Sequence, residues 1–244
     1  MNTELLKQNY EQILSSIAST DFITGDDLYS GVFLSVPFKE YWRSDKKVMI
    51  VGRETAGWNT KNGKNTISRI VECGRYGDLS GVVSESFERY AWHPLDKKGG
   101  DLRKTSKSWF QRFYDGVASR LGLSPYELLY QNLYAWDYNG KSPVSRPSSE
   151  FEIIQSLSVQ LLAESIRHCN PDFIIFAVGC SAKNDATIKK LMNCFGGYET
   201  QELIPKQFWK FKFNNTMCIR IAHPRSQKEN HRKFREKAVQ SLIS

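Results

Sequence analysis

The apolar positions of this chain fall into two rhythms. Over residues 4–19, Leu5, Leu6, Tyr10, Ile13, Leu14 and Ile17 recur at helical spacing with polar residues between them. The same spacing predicts a helix over 106–121, through Trp109, Phe110, Phe113, Val117 and Leu121, with Gly122 as its stop. Another runs over 149–168 through Ile153, Ile154, Leu157, Leu161, Leu162 and Ile166, and Asn170-Pro171 ends it. Residues 184–195 and the basic segment 227–243 read as two more. Between the helices lie short apolar runs at 48–51, 128–135 (broken by Gln131 and Asn132), 173–178 and 217–222, with a short edge strand at 209–213. Runs without alternation mark strands buried on both faces, as in parallel sheets. Strands separated by helices predict an α/β fold, a three-layer α-β-α sandwich with a central four-stranded, mostly parallel sheet.

The chain reads as a single domain over 1–244, without repeats or low-complexity tracts. Its one irregular region is a long insertion at about 59–104, punctuated by Gly63, Gly74, Gly77, Gly81, Gly99 and Gly100. Such an excursion after a strand often carries a binding loop.

Charge narrows the partner. The formal net charge is +8 and the pI about 9.2, which favours a polyanion, nucleic acid first. Aromatic residues, able to stack on bases, are plentiful: 14 Phe, 11 Tyr and 6 Trp. The cysteines, Cys73, Cys169, Cys180, Cys194 and Cys218, form no C-x-x-C pair, so no metal or iron–sulfur site is expected. Scattered thiols suit a reducing cytoplasm. No basic-then-apolar leader and no run of membrane-spanning length is visible, so the expectation is a cytoplasmic protein with no membrane partner. Neither G-x-x-x-x-G-K-[ST] nor G-x-G-x-x-G occurs, which argues against a Rossmann-like hydrolase of free nucleotides.

In open α/β sheets, ligands bind beyond the carboxyl ends of parallel strands. Two of the apolar runs stop abruptly at polar residues. The first gives way to Gly52-Arg53-Glu54-Thr55-Ala56-Gly57-Trp58, the last to His223-Pro224-Arg225-Ser226. A carboxylate facing an imidazole is a hydrolytic pair. The bland alternatives are a salt bridge or helix cap for Glu54 and a satisfied structural imidazole for His223. Asn132, which with Gln131 interrupts the second run, carries both a donor and an acceptor for a pyrimidine edge; its alternative is a strand-end or turn hydrogen bond. Trp58, Phe87, Tyr90 and Trp92 are candidates to stack on a base, each also a candidate for the core.

The order of these motifs resembles that of the uracil-DNA glycosylase superfamily. In that family a first strand ends in a Gly-x-x-Pro-like water-activating motif, a second carries a base-reading Asn, an apolar strand ends in Gly, and a last strand ends in His-Pro-Ser. The matching segments here are Gly52-Arg53-Glu54-Thr55, Gln131-Asn132-Leu133, residues 171–179 with the following Cys180-Ser181-Ala182-Lys183, and His223-Pro224-Arg225-Ser226. Three positions depart from it: Thr55 replaces the Pro, Ala56 the aromatic that blocks a thymine methyl, and Arg225 a Ser.

The resemblance implies a monofunctional DNA glycosylase that uses water and needs no metal or cofactor. It assigns catalysis to Glu54 and His223, and substrate binding to Gly52, Arg53, Thr55, Ala56, Trp58 and Asn132. DNA contact falls to Ser181, Lys183, Arg225, Ser226 and Gln227. The substrate would be a flipped non-standard pyrimidine, uracil or a bulkier modified base, in single- or double-stranded DNA. The alternative is a non-catalytic nucleic-acid-binding module on the same fold. Lys97-Lys98-Gly99-Gly100 reads as a mobile loop or a DNA-facing lid, and the 228–237 basic run as a solvated helix face with partial DNA contact. Nothing in the sequence specifies an oligomeric partner.

Overall fold

The computed structural model describes residues 3–18, 27–60, 65–93, 102 and 108–243. Lys97-Lys98-Gly99-Gly100 lies outside them. The chain divides into two compact units. One comprises Met1–Val36, Glu54–Tyr90 and Tyr134–His168; the other comprises Pro37–Arg53, Ala91–Leu133 and Cys169–Ser244.

The second unit holds the sheet. Its strands are β1 (Val48–Gly52), β2 (Leu128–Asn132), β3 (Phe173–Phe176), β4 (Glu199–Ile204), β5 (Phe208–Phe213) and β6 (Thr216–Ile221), in the order β2-β1-β3-β6-β5-β4. Neighbours from β2 to β6 run parallel, whereas β4–β5 and β5–β6 are antiparallel. The expectation of a four-stranded, mostly parallel sheet is therefore corrected: the sheet has six strands and mixed topology. The correction has a physical source. β4 reads Glu-Thr-Gln-Glu-Leu-Ile, none of it fully buried, and Leu203 is 57 % exposed. An edge strand with no buried face leaves no apolar run to find. β5 alternates Phe-Trp-Lys-Phe-Lys-Phe and is joined to β6 through Asn214, whose φ of 46° allows the tight reversal.

All five residues of β1 and of β2 are buried, which explains the unbroken apolar character of β1, while β2 buries the polar Gln131 and Asn132 as well. The registers pair Gly52 with Asn132, Val51 with Phe176, and Phe176 with Arg220. The carboxyl ends of β2, β1, β3 and β6 thus lie along one sheet edge. Backbone bonds continue this edge past the strands: Leu133 N–H donates to the Gly52 carbonyl (2.8 Å), Ala177 to Val51 (2.8 Å) and Gly179 to Ile221 (3.2 Å).

This unit also carries α2 (Lys39–Arg43), α5 (Trp109–Arg120), α7 (Ala182–Asn193) and α8 (Glu229–Gln240). Ser108 and Gln111 form a reciprocal capping box that starts α5. The α7 residue Asp185 holds the buried Arg220 of β6, Oδ1 to Nε at 3.0 Å.

The first unit is helical: α1 (Thr3–Ala18), α3 (Ile67–Tyr76), α4 (Leu79–Ala91, here to Tyr90) and α6 (Ser148–Cys169, here to His168). Leu6, Tyr10, Leu14 and Ile17 of α1 are fully buried with Ile70, Val83, Trp136 and Ile154. The Gly-punctuated region therefore contains two helices that contribute to a core. Leu79, Val82, Val83, Ser86 and Tyr90 form the buried stripe of α4. No helix among the described residues is long and apolar enough to cross a membrane.

Candidate functional site

Asn132 ends β2 and is 3 % exposed. Tyr130 lies two residues earlier, so both side chains project from one face of the sheet. The Tyr130 hydroxyl donates to Asn132 Oδ1 at 2.8 Å. Asn132 Nδ2 is buried with no hydrogen-bond partner. A Cβ at Gly52 would come within 2.6 Å of Asn132 Oδ1, 3.1 Å of Phe110 and 3.2 Å of Tyr130. Gly52 is thus the residue that lets the amide and two rings close on the strand end. Phe110, from the first turn of α5, lies 4.8 Å from the Tyr130 ring, and His93 stacks on Tyr130 at 4.0 Å. The Gln111 side chain donates to the His93 carbonyl at 3.1 Å.

His223 follows β6 and is half-buried. Its Nδ1 accepts the backbone N–H of Arg225 at 3.1 Å. This places the proton of a neutral ring on Nε2. Burial, then the positive charges of Arg53, Arg225 and Arg235, push its pKa down to about 4. The ring is neutral at pH 7 and sits among cations. Arg235 donates to the Ser226 carbonyl at 2.8 Å, and Ser226 N–H donates to the His223 carbonyl at 2.9 Å, which closes the turn. Gln227 Nε2 donates to the Pro224 carbonyl at 3.1 Å, while Ser226 Oγ and His231 Nδ1 are 2.6 Å apart.

Between these two points is the exit of β3. Gly179 has φ of 90°, and Asn184 Nδ2 donates to the Val178 carbonyl at 2.8 Å. Ser181 caps α7 by accepting the Asn184 N–H at 3.3 Å, so its hydroxyl oxygen already serves the helix. Lys183 is exposed in the first turn, as is Arg225 on its loop. Asn132 and His223 stand three strand spacings apart along the edge, roughly 14 Å between backbones.

The second segment of the first unit begins at Glu54, which is half-buried, as are Thr55 and Trp58; Ala56 is exposed. Sequence reasoning missed what holds this turn. Asp137 is fully buried, and its Oδ2 accepts the Thr55 hydroxyl (2.6 Å) and the N–H groups of Gly57 (2.9 Å) and Trp58 (3.3 Å). Its Oδ1 accepts Gly140 N–H at 2.8 Å. Trp58 Nε1 donates to the Val32 carbonyl, and its ring meets Phe33 edge-on at 5.0 Å.

Of the four stacking candidates, Phe87 and Tyr90 pack in the first unit's core, Trp58 lies against Phe33, and Trp92 is 37 % exposed. The rings gathered at Asn132 are instead His93, Phe110 and Tyr130. Only the two-residue spacing of Tyr130 and Asn132 on one strand was available in the sequence to find any of them.

In the basic run, Lys237 pairs with Glu202 and lies over the Phe208 ring, while Lys228 and His231 help line a cleft of about 360 Å³ with Gln207, Glu229 and Asn230. No cluster of His, Cys, Asp and Glu suited to a metal ion occurs among the described residues. A comparison with models of protein families finds none that matches the chain, and a comparison with curated proteins finds no match.

Proposed function

We propose that this protein is a monofunctional DNA glycosylase of the uracil-DNA glycosylase type, releasing a flipped non-standard pyrimidine by hydrolysis. The observation that carries the reading is His223: a neutral imidazole whose Nδ1 is occupied, leaving Nε2–H as a donor, with Arg53, Arg225 and Arg235 adding positive potential. Such a donor suits an oxygen on which negative charge develops as the C1′–N bond breaks. In the proposed step the bond's electron pair leaves with the base. Water bonds to C1′ and gives up one proton to Glu54. The departing base anion takes up a proton from solvent while Glu54 returns its own to solvent, and an abasic sugar with a C1′ hydroxyl remains.

Asn132 supports the substrate class. A buried amide with an unpartnered donor, beside Phe110 and Tyr130, is suited to the polar edge of a planar ring. His223 and Asn132 are too far apart to touch each other; in this proposal the first meets the bond cleaved and the second the base edge. DNA is the proposed partner, with Ser181, Lys183, Arg225, Ser226 and Gln227 toward the phosphates. None of the five cysteines is in a disulfide, and the reducing cytoplasm is the setting that belongs to this proposal.

The test is abasic-site formation on oligonucleotides carrying uracil, 5-hydroxymethyluracil or bulkier pyrimidines. His223→Ala should slow release about 10²–10³-fold in single turnovers. Glu54→Gln should reduce release far more than binding, and Asn132→Ala should change the ranking of bases. Parent-rate cleavage by both the His223 and Glu54 variants would remove the catalytic assignment. The engagement of Thr55, Gly57 and Trp58 by Asp137 favours a second reading, a binding module whose turn after β1 is structural. DNA binding without release of any base would select that reading.

A further inference from the structure

We infer that the outer face of α5 is a track for single-stranded DNA, on which the Trp109 ring stacks against an unpaired base while Arg112 and Arg120 hold the backbone. This rests on the reading of DNA as the partner. The helical spacing over 106–121 puts Trp109 in the apolar stripe, yet the residues that α5 buries are Phe110, Tyr114, Val117 and Ala118. Trp109 is turned away from them and is 44 % exposed. One exposed indole carries no message by itself. What the helix places beside it gives the ring a use. At 3.6 residues per turn, Trp109, Arg112, Gly116 and Arg120 fall on one stripe about 80° wide and roughly 16 Å long. Both arginines are exposed. The Arg112 guanidinium lies over the indole, 4.6 Å from the ring centroid, and steadies it. At Gly116 an added Cβ would meet nothing within 4 Å, so the stripe is open between the two cations. None of the four positions is acidic.

Binding of single strands without sequence preference needs these two parts, an aromatic ring for base faces and cations that follow the phosphates. The ring decides between single strand and duplex. In a duplex each base is stacked on its neighbours, so a convex helix face meets sugar and phosphate alone. Only an unpaired strand can turn a base face towards the indole. The stripe also begins beside the strand end already described. Phe110, the next residue, turns inward, and its ring lies 3.1 Å from a Cβ built at Gly52. One turn of α5 thus presents one ring to the Gly52–Asn132 end and another to solvent. A strand whose nucleotide enters at that end has its neighbour led over Trp109.

The experiment measures binding of the full-length protein to a fluorescein-labelled oligothymidylate and to a duplex of equal length, by anisotropy over a range of salt. Trp109→Ala should weaken single-strand binding about tenfold and duplex binding by less than about twofold. Its salt slope should match the parent's, since a ring displaces no counterions. Trp109→Phe should recover most of the loss, because it restores a stacking face. Arg120→Gln should instead lower the single-strand salt slope by about 0.7, the share of one phosphate contact. Tryptophan emission of the parent should fall as the single strand saturates it, and fall less in Trp109→Phe. Both substituted side chains are exposed, and the two variants report on separate parts of the track. Parent-like single-strand affinity in Trp109→Ala, an equal loss on the duplex, or an unchanged slope in Arg120→Gln would each overturn the inference and leave the DNA reading standing. A parent that binds neither oligonucleotide would overturn both.

Discussion

His223 shows how a few neighbouring groups define a residue's chemistry. Its ordinary pKa of 6.5 is lowered to about 4 by burial and three arginines. The unfolded chain takes up a proton near the ordinary value, and the folded chain does so only near the lowered one. Between them the unfolded state binds more protons, so stability falls as pH drops through this window. The contribution is fully present above about pH 6.5 and lost as pH falls towards 4. His223→Ala should flatten the melting temperature over this range, read by thermal unfolding at stepped pH. A parent and variant with the same acid slope would place the histidine outside the cationic surroundings described. The same neutrality means that imidazole protonation should not limit base release at pH 6 to 8.

The turn after β1 illustrates a dependence that runs between segments distant in sequence. Gly57 has φ of 80°, and three of the four residues from Thr55 to Trp58 bind one carboxylate from residue 137. Hydrogen bonds to a buried charge are worth about 1.5–3 kcal/mol each and do not add fully. Asp137→Ala should therefore destabilise the protein by about 3 kcal/mol, measured by denaturant unfolding with an unchanged slope. It should also loosen the segment carrying Thr55, Ala56 and Trp58, raising hydrogen exchange at Gly57 and Trp58. Full protection at both amides in the variant would show that other contacts hold the turn.

For the molecule as a whole, the governing quantity is an excess of cations, 34 Lys and Arg against 26 Asp and Glu. Some are committed internally: Arg220 to Asp185, Arg146 to Glu150, Lys237 to Glu202. Others, including Arg225, Lys228, Arg232 and Lys233, are exposed. Exposed cations on a polyanion release counterions, so affinity should fall linearly in log–log against salt. For four to six phosphate contacts the loss is on the order of 10²–10³ between 50 and 200 mM salt. Titrations of a fluorescent oligonucleotide check this, and a flat response would reject a phosphate-dominated surface.

Elements whose signal is local were legible in the chain. Helices α1, α5 and α6 carry a stripe at helical spacing, and β1, β2, β3 and β6 are apolar because flanking strands and covering side chains keep both faces from water. The ends were less legible: β2 stops at Asn132 although the apolar run continues through Ala135. Residues 133–135 stay buried without a ladder, and burial is what an apolar run reports. β4 was invisible for the converse reason, since an edge strand is defined by backbone pairing with β5 and needs no apolar face. His223 could be singled out because the last apolar run stops just before it, and Asn132 because it interrupts the second run. Their surroundings could not: Phe110 and His93 reach Tyr130 only through the packing of α5 and the chain before it, and Asp137 reaches the turn after β1 from 80 residues away. Local periodicity is written in neighbouring residues. The neutral state of His223 and the inward carboxylate of Asp137 each depend on groups that only tertiary folding brings within a few ångströms.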